Sequence, residues 1–473
     1  MKNLFWNKNK NKIIKNNILF KMSEKSNPNT NEPFNVAVLV VGDLNRSPRM
    51  LNHCLSLTES FPDINEISLI GFNGGDIRSD ISSNPKIKQY YIRQGTNKYL
   101  RNLPKFLFIF VALIKLTIQI ISLMWTLLRI PKFRFLILQN PPGIPSMLIC
   151  WLICKFRKSK YIIDWHNYGY TILKVNSRPN FIVNIAYKYE KYLGKKSDVN
   201  FCVSQAEKRD LKKQFNIEAV CLPDRPVKGL FKFLNENEAN ELYKKYSNEL
   251  SSLIDSHLPE NKNKKPIVMI SSTSWTPDED FSMLLNSFIK TEEMLLEHIE
   301  DKEKKTFENI TEDKIKKILF LITGRGPLKS QFMKKVSEAK LKYFEVKSIW
   351  LDSDDYPKLL SLVDLGVSLH YSSSGIDLPM KVVDMFSGCL PVASIYYDTI
   401  VELVEENKNG FLFKNEKDLS KILKNVIIEY SLTGKCQKID KFRENLHKDL
   451  DKNDWVSQWK QRVIPSLKKK NIV

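Results

Sequence analysis

The chain is short of the residues that build several common kinds of site. Cysteine is sparse. Cys54, Cys150, Cys154, Cys202, Cys221, Cys389 and Cys436 are scattered over 473 residues with no Cys-x-x-Cys. No regular disulfide framework can be drawn, and reduced core thiols in a cytosol-facing protein are the simplest reading. The 6 histidines cluster neither with one another nor with cysteine, so no metal site is expected. There is no glycine-rich P-loop. Acidic residues fall well below basic ones, 53 against 74, leaving a net charge of +21. Such an excess suits nucleic acid, an anionic membrane surface or anionic substrates. No RNA-binding signature, Cys/His finger or aromatic-studded basic strand is present, so no nucleic-acid partner is expected. Residues 1–35 lack the apolar core of a signal peptide. They are rich in Asn and Lys and read as a disordered basic arm able to touch lipid headgroups.

What is present alternates. At this length two α/β domains are expected rather than one core. Apolar runs at Val36–Val41, Glu66–Phe72, Phe135–Gln139, Tyr161–Asp164 and Val199–Val203 read as buried parallel strands with helical stretches between them. Pro48–Ser60 has helical spacing, and Ser204 with Glu207 makes a capping box. A polar, charged stretch, 232–265, separates residues 36–231 from a second series. There the strands are Ile267–Ser271, Ile318–Thr323, Phe344–Trp350, Leu365–His370 and Leu390–Ile395, with helices at Phe281–Ile289 and Tyr356–Val363. Glu292–Lys316, dense in charges of both signs, reads as a surface insertion. The second domain runs over 266–440, followed by a helical tail at 441–473. The expected fold class is α/β, with two Rossmann-like doubly wound domains facing a central cleft.

One segment, Phe106–Ile130, is apolar and long enough to span a bilayer. Spanning, burial and an interfacial position compete. Lys115 and Gln119 interrupt one face, and Arg101, Lys105, Arg129, Lys132 and Arg134 flank it. Spanning would separate strands that look like neighbours in one sheet, so a helix lying in the cytosolic leaflet is favoured, with Ile144–Phe156 beside it.

The most informative stretch is Ser368–Val392, SLHYSSSGIDLPMKVVDMFSGCLPV. It reads strand, Ser-rich loop, helix, turn, strand. Lys381 and Asp384 are three apart and share a helix face. A helix start with free N–H groups and a Lys beside it suits a diphosphate, and a carboxylate one turn on can accept two ribose hydroxyls. A nucleotide-diphosphate sugar would be held this way. The competing reading is an ordinary capped turn with a solvated ion pair.

Six blocks occur in order: GDLNRSPRM (Gly42–Met50), LQNPPGIPS (Leu138–Ser146), IIDWHNYGYTIL (Ile162–Leu173), SSTSWTPDEDF (Ser271–Phe281), ITGRGPL (Ile322–Leu328) and SSSGIDLPMKVVDMF (Ser372–Phe386). In these the chain resembles GT-B glycosyltransferases, and more closely the chitobiosyldiphosphodolichol β-mannosyltransferases, over roughly residues 36–415. The resemblance implies an inverting β-1,4-mannosyltransferase. It would move mannose from GDP-mannose to GlcNAc2-diphosphodolichol on the cytosolic face of the endoplasmic reticulum membrane. A complex with sister glycosyltransferases is compatible with it. It gives Lys381 the diphosphate position and Asp384 the ribose position, where the wider class usually has Glu. It adds Arg325 as a diphosphate or base-side contact, Ser272, Thr273 and Ser274 in a phosphate-facing turn, and Ser373, Ser374 and Gly375 in the donor loop.

Asp278-Glu279-Asp280 is similar to the Asp-x-Asp metal signature, but Thr276 as N-cap, Pro277 at the first helical position and Glu279 at the third favour a helix start. No metal or other cofactor is then required, since Lys381, Arg325 and a helix N-terminus would stabilise departing GDP. Arg46 and Arg49 suit the acceptor's diphosphate, with Asn167 nearby. Inversion requires a base for the acceptor hydroxyl. Asp43 and His166, both at strand ends that face the cleft, are the candidates. A histidine titrates near neutral pH unaided, whereas a carboxylate needs raising. Asn45-Arg46-Ser47 and Asn309-Ile310-Thr311 are glycosylation sequons expected to stay unused. Two other functions remain open: a GT-B enzyme with another nucleotide sugar, and a non-catalytic membrane scaffold of the same fold.

Overall fold

The computed structural model describes residues 32–93, 108–227, 229, 234–256, 265–275, 279–300, 310–352, 354–372 and 374–473. The basic arm up to residue 31, Thr276, Pro277, Asp278, Asn309 and Ser373 lie outside them.

Two parallel sheets form. In the first, β1 (Phe34–Asp43), β2 (Ile64–Phe72), β3 (Ile87–Tyr91), β4 (Phe135–Asn140), β5 (Lys160–Trp165), β6 (Val199–Cys202) and β7 (Val220–Cys221) stand in the order β3-β2-β1-β4-β5-β6-β7. The second contains β8 (Ile267–Ser272), β9 (Ile318–Thr323), β10 (Phe344–Ile349), β11 (Leu365–Ser368), β12 (Val392–Ile395) and β13 (Gly410–Phe413), in the order β10-β9-β8-β11-β12-β13. The central strands are buried on both faces: Val36 to Leu39, Leu136 to Leu138 and Leu319 to Ile322 are fully inaccessible. A strand covered on both sides reads as a continuous apolar run, which is why these were visible in the sequence.

Helices cover both faces of the first sheet. They are α1 (Pro48–Ser60), α2 (Phe108–Arg129), α3 (Ser146–Arg157), α4 (Gly169–Val175), α5 (Asn180–Gly194) and α6 (Gln205–Asp210), with one turn at Ser79–Ser82. α7 (Glu236–Lys245) and α8 (Ser251–Ser256) occupy the stretch expected to be a linker. Leu242, Tyr243, Leu250 and Leu253 bury against the second domain, so this stretch packs as part of it. α9 (Phe281–Glu300), α10 (Lys329–Ala339), α11 (Tyr356–Leu360), α12 (Met380–Ser387), α13 (Glu416–Thr433), α14 (Gln437–Lys452) and α15 (Trp455–Lys469) complete the chain. The charged stretch from Glu292 is therefore helical as far as Glu300. Leu295 is buried, and Glu292 accepts the Tyr343 N–H at 2.6 Å.

α2 lies between β3 and β4 in sequence, and β4 returns to pair with β1 from Val36↔Phe135 to Leu39↔Leu138. α2 therefore enters and leaves on one side of the sheet. Its inner face, Leu123 and Leu127, joins the first core. Among the described residues no helix is long and apolar enough to cross a membrane.

The last helix returns to the first domain. Trp455, Trp459, Val463 and Leu467 of α15 share a core with Val36, Val38 and Leu57, and the Trp455 N–H donates to the Pro226 carbonyl at 2.9 Å.

Candidate active site

The carboxyl ends of both sheets meet at a cleft, the usual ligand position of open α/β sheets. One cavity, of about 890 Å³, is bounded by Asn45 and Arg78 from the first domain and by Ser272, Gly324, Lys381 and Asp384 from the second. A smaller one, about 300 Å³, has His166 and Asn167 on one side and His370, Asp377 and Lys381 on the other. Lys381 borders both.

The second domain supplies a compact cradle. Lys381 is the second residue of α12 and Asp384 the fifth, so both lie near its amino end. The Lys381 ammonium contacts Glu279 Oε1 at 2.6 Å. Glu279, 4% exposed, turns its other oxygen to the Thr273 hydroxyl and to the Ser274 N–H at 3.2 Å. This carboxylate is a site residue the sequence reading assigned to a helical turn. The helix in fact starts at Phe281, and Asp280 caps it by accepting the Ser282 and Met283 N–H groups. Glu279 is left in extended pairing with His370. A carboxylate is the stronger cap here because it accepts two free N–H groups at the positive end of the helix.

The Ser272–Trp275 turn is pressed against the Gly324-Arg325-Gly326 turn. A Cβ on Gly324, where φ is +127°, would lie 1.7 Å from the Thr273 carbonyl oxygen. Trp275 fixes the approach from its side by donating to the Gly324 carbonyl at 3.2 Å. Ser272 bonds the Tyr356 hydroxyl at 2.8 Å. Arg325 is exposed and stacks 3.8 Å above the ring of Trp350, which lines the larger cavity. Burial, with the Asp224 charge adding, pushes the Asp384 carboxyl up to about 7. In the donor loop Ser374 bonds Asp377 Oδ1 at 3.2 Å, and the Gly375 N–H donates to Ser372. The Asp377 carboxylate also accepts from Asn167 Nδ2 across the cleft at 3.2 Å. Burial alone would raise Asp377, but hydrogen bonds from His370 and Ser372 outweigh it and hold the carboxyl below its usual range.

The first domain supplies the other wall. His166 Nε2 lies 3.1 Å from Asp164 Oδ2. Asp164 is fully buried; burial opposes its charge, but Arg49 outweighs it and holds the carboxyl well below the usual range. Arg49 does not reach the acceptor side as the sequence suggested. It is 1% exposed, forks onto Asp164 at 2.7 and 2.8 Å and bonds Asp224 at 2.8 Å. Two carboxylates and the Leu222 carbonyl take four of its five N–H donors, and its burial keeps it from an incoming diphosphate. Arg46 is 75% exposed, with Asp43 at 3.8 Å. Asp43 packs beside Gly74 and borders neither cavity.

The sequence reading thus found Lys381, Asp384, Ser272, Thr273, His166 and Asn167, which the fold does bring to the cleft. It missed Glu279, Asp377, His370 and Arg78. Arg78 is anchored to Asn52 at 3.0 Å and Asp80 at 2.7 Å. Of these only His370 and Asp377 carried a signal, through the Ser-rich loop they frame. Among the described residues no group of three or more His, Cys, Asp or Glu is arranged to hold a metal.

No family model matches the chain. A chitobiosyldiphosphodolichol β-mannosyltransferase of Dictyostelium discoideum is 36% identical over 91% of this chain and 94% of its own length. Its Mus musculus counterpart is 34% identical over 91% and 89%. The UDP-glycosyltransferase TURAN of Arabidopsis thaliana is 32% identical over 91% and 96%. The fold is similar to that of Anabaena HepE, solved with UDP and glucose, at a TM-score of 0.60, 12% identity, and coverage of 92% of this chain and 100% of that one. A sucrose-phosphate synthase of Thermosynechococcus elongatus also matches, at 0.60 and 12% over 93% and 98%. These solved neighbours are GT-B glycosyltransferases. With two parallel-sheet domains closing on this cleft and relatives of that identity over nine-tenths of its length, the chain is a GT-B protein and belongs to the chitobiosyldiphosphodolichol β-mannosyltransferase family.

Proposed function

We propose that the chain is an inverting mannosyltransferase that moves mannose from GDP-mannose to the terminal 4-hydroxyl of GlcNAc2-diphosphodolichol. The observation that carries this is the meeting, in one cleft, of Lys381 and Asp384 at the start of α12 with the His166–Asp164 pair of the other domain. Lys381 and the free N–H groups of α12 balance the diphosphate charge as GDP departs. Asp384 accepts the ribose hydroxyls. Asp164 accepts from His166 Nε2, so the proton of the neutral ring sits there and Nδ1 is the basic atom. Nδ1 takes the proton of the acceptor hydroxyl while that oxygen displaces GDP from the opposite face of the sugar. Of the two base candidates His166 is preferred, because it borders the cavity shared with Lys381 and Asp43 does not.

The acceptor's lipid directs the enzyme to the cytosolic leaflet of the endoplasmic reticulum. A continuous apolar face supports this. Ile121 and Trp125 of α2, Leu152 and Phe156 of α3, and Phe181 and Ile185 of α5 are all exposed, Phe156 to 76%. Lys155 of α3, Lys174 of α4, Arg178 and Lys188 of α5 are exposed on or beside these helices, a composition that suits an interfacial surface against anionic lipid. Asn45 borders the larger cavity and donates to the Gly74 carbonyl, so a glycan there would fill the cleft.

The test is transfer from radiolabelled GDP-mannose to a phytanyl-linked GlcNAc2-diphosphate, with EDTA present and Lys381→Ala alongside. Transfer that resists EDTA and is lost in the variant supports both the assignment and a metal-free site. Transfer abolished by EDTA would return Asp278 and Asp280 as metal ligands. A second reading, a different nucleotide sugar, is kept open by the name of the Arabidopsis relative. Competition by UDP but not GDP would favour it. Folded protein inactive with every donor would leave the scaffold.

A further inference from the structure

We infer that Trp459 of the last helix acts through His53 and Asp164 to fix the tautomer and orientation of His166, making α15 a positioning element of the reaction centre. The inference rests on His166 as the base.

The chain of contacts is continuous. An indole N–H only donates. Trp459 Nε1 lies 2.9 Å from His53 Nδ1, so Nδ1 accepts and the His53 proton sits on Nε2. That nitrogen faces Asp164 Oδ2 at 3.2 Å. His53 is wholly buried, and burial lowers its proton affinity, so it stays neutral with one tautomer. A second proton on Nδ1 would point at the indole N–H. Asp164 Oδ2 therefore receives three donors, Arg49 Nε, His53 Nε2 and His166 Nε2, while Oδ1 takes Arg49 Nη2.

Other elements close the environment. Arg49 on α1 lies 5.1 Å over the Trp455 ring, and Trp455 stands edge-on to His53 at 5.3 Å. Trp455 Nε1 bonds Ser56 at 2.9 Å, holding α15 to α1. The titratable groups facing Asp164 are Arg49, its second partner Asp224, and Glu207 of α6, whose carboxyl burial raises well above the usual range. Across the cleft stand His370 and Asp377. Nothing in this arrangement is required for covering the sheet, which an apolar side chain at position 53 would do equally well.

Every donor on Asp164 competes with His166 for its charge. Taking one away makes Asp164 a stronger partner for protonated His166. The acid limb of kcat/KM then moves to higher pH, and orientation loosens. The test uses full-length enzyme in vesicles. His53→Leu removes the donor. Trp459→Phe frees His53 to shift its proton to Nδ1 and withdraw. His53→Gln keeps an acceptor for Trp459 and a donor for Asp164. Expected is a kcat loss of roughly 10- to 100-fold in the first two, the size known for removing the orienting partners of metal-ligating histidines. The KM for GDP-mannose stays unchanged, the acid limb moves upward, and both are restored in His53→Gln. If Trp459→Phe does not fold, the Leu and Gln variants carry the comparison.

Folded His53→Leu enzyme with unaltered kcat and a superimposable pH profile would overturn the inference. His166→Asn separates the two levels. Full turnover there removes the base assignment and the relay with it. Lost turnover there, beside an unmoved profile at His53, removes the relay alone.

Discussion

Lys381, Asp384 and Arg49 show how differently three charged residues of neighbouring type are used. Lys381 is held by a buried carboxylate yet borders open space, so it is poised for an anion. Removing it costs one charge-assisted contact in the transition state. Lys381→Ala should lower kcat/KM by about 1.5–3 kcal/mol, roughly 10- to 150-fold, read in the transfer assay. Arg49 is spent inside the protein. Arg49→Ala leaves Asp164 and Asp224 buried without their counter-charge, a loss of about 3–5 kcal/mol. Tm should fall on the order of 10 °C, checked by thermal melting. Asp384 gives a pH dependence. In the proposed donor site ribose hydroxyls would donate to its ionised form, and burial pushes the free carboxyl up to about 7. Donor binding therefore releases a proton. GDP affinity should weaken as pH falls through that value and level off above it. Calorimetric titration against pH measures this, and Asp384→Asn should flatten the curve.

At the level of elements, the glycine turn that meets the Thr273 carbonyl makes a sharp prediction. Gly324→Ala cannot be seated without moving the Ser272–Trp275 turn, so it should cost about 1–3 kcal/mol and abolish GDP binding in the same titration. The apolar helices make another. Changing Trp125, Phe156 or Phe181 to Ser should lower partition onto anionic liposomes by roughly tenfold each, with GDP binding kept; unchanged flotation would refute the lipid face. Which elements could be read beforehand follows from burial. The central strands and α1 were legible because both-face burial and helical periodicity write themselves into local sequence. β3, β7 and β13 were not, being edge strands of only 5, 2 and 4 residues, too short to write a distinct pattern. The helix start at Phe281 was read correctly, but its cap was placed at Thr276 when Asp280, next to the core-facing Phe281, is the residue that caps it. The Lys381–Asp384 part of the cradle was legible because it lies in one short stretch, whereas Glu279, 102 positions from Lys381, was not. The Arg49–Asp164–Asp224 cluster was not. Its members are separated by 115 and 175 positions, and an isolated Arg in a cleft-side loop looks the same whether it turns outward or inward.

For the whole molecule, the tail expected at 441–473 is structural in both domains. Leu446 of α14 packs with the second core, and α15 crosses to the first. Truncation before Trp455 should expose Leu57, Val38 and their neighbours, giving insoluble or inactive protein by sedimentation and transfer assay. The crossing also sets a clock on biosynthesis. The first sheet is complete by Cys221, but the share of its cover that α15 supplies begins at Trp455. At about 5–20 residues per second the ribosome needs roughly 10–50 s to supply the difference. Through that interval one face of the sheet domain is only partly covered. Nascent chains of this protein should therefore depend on a chaperone, or on lipid itself, until the last helix is released.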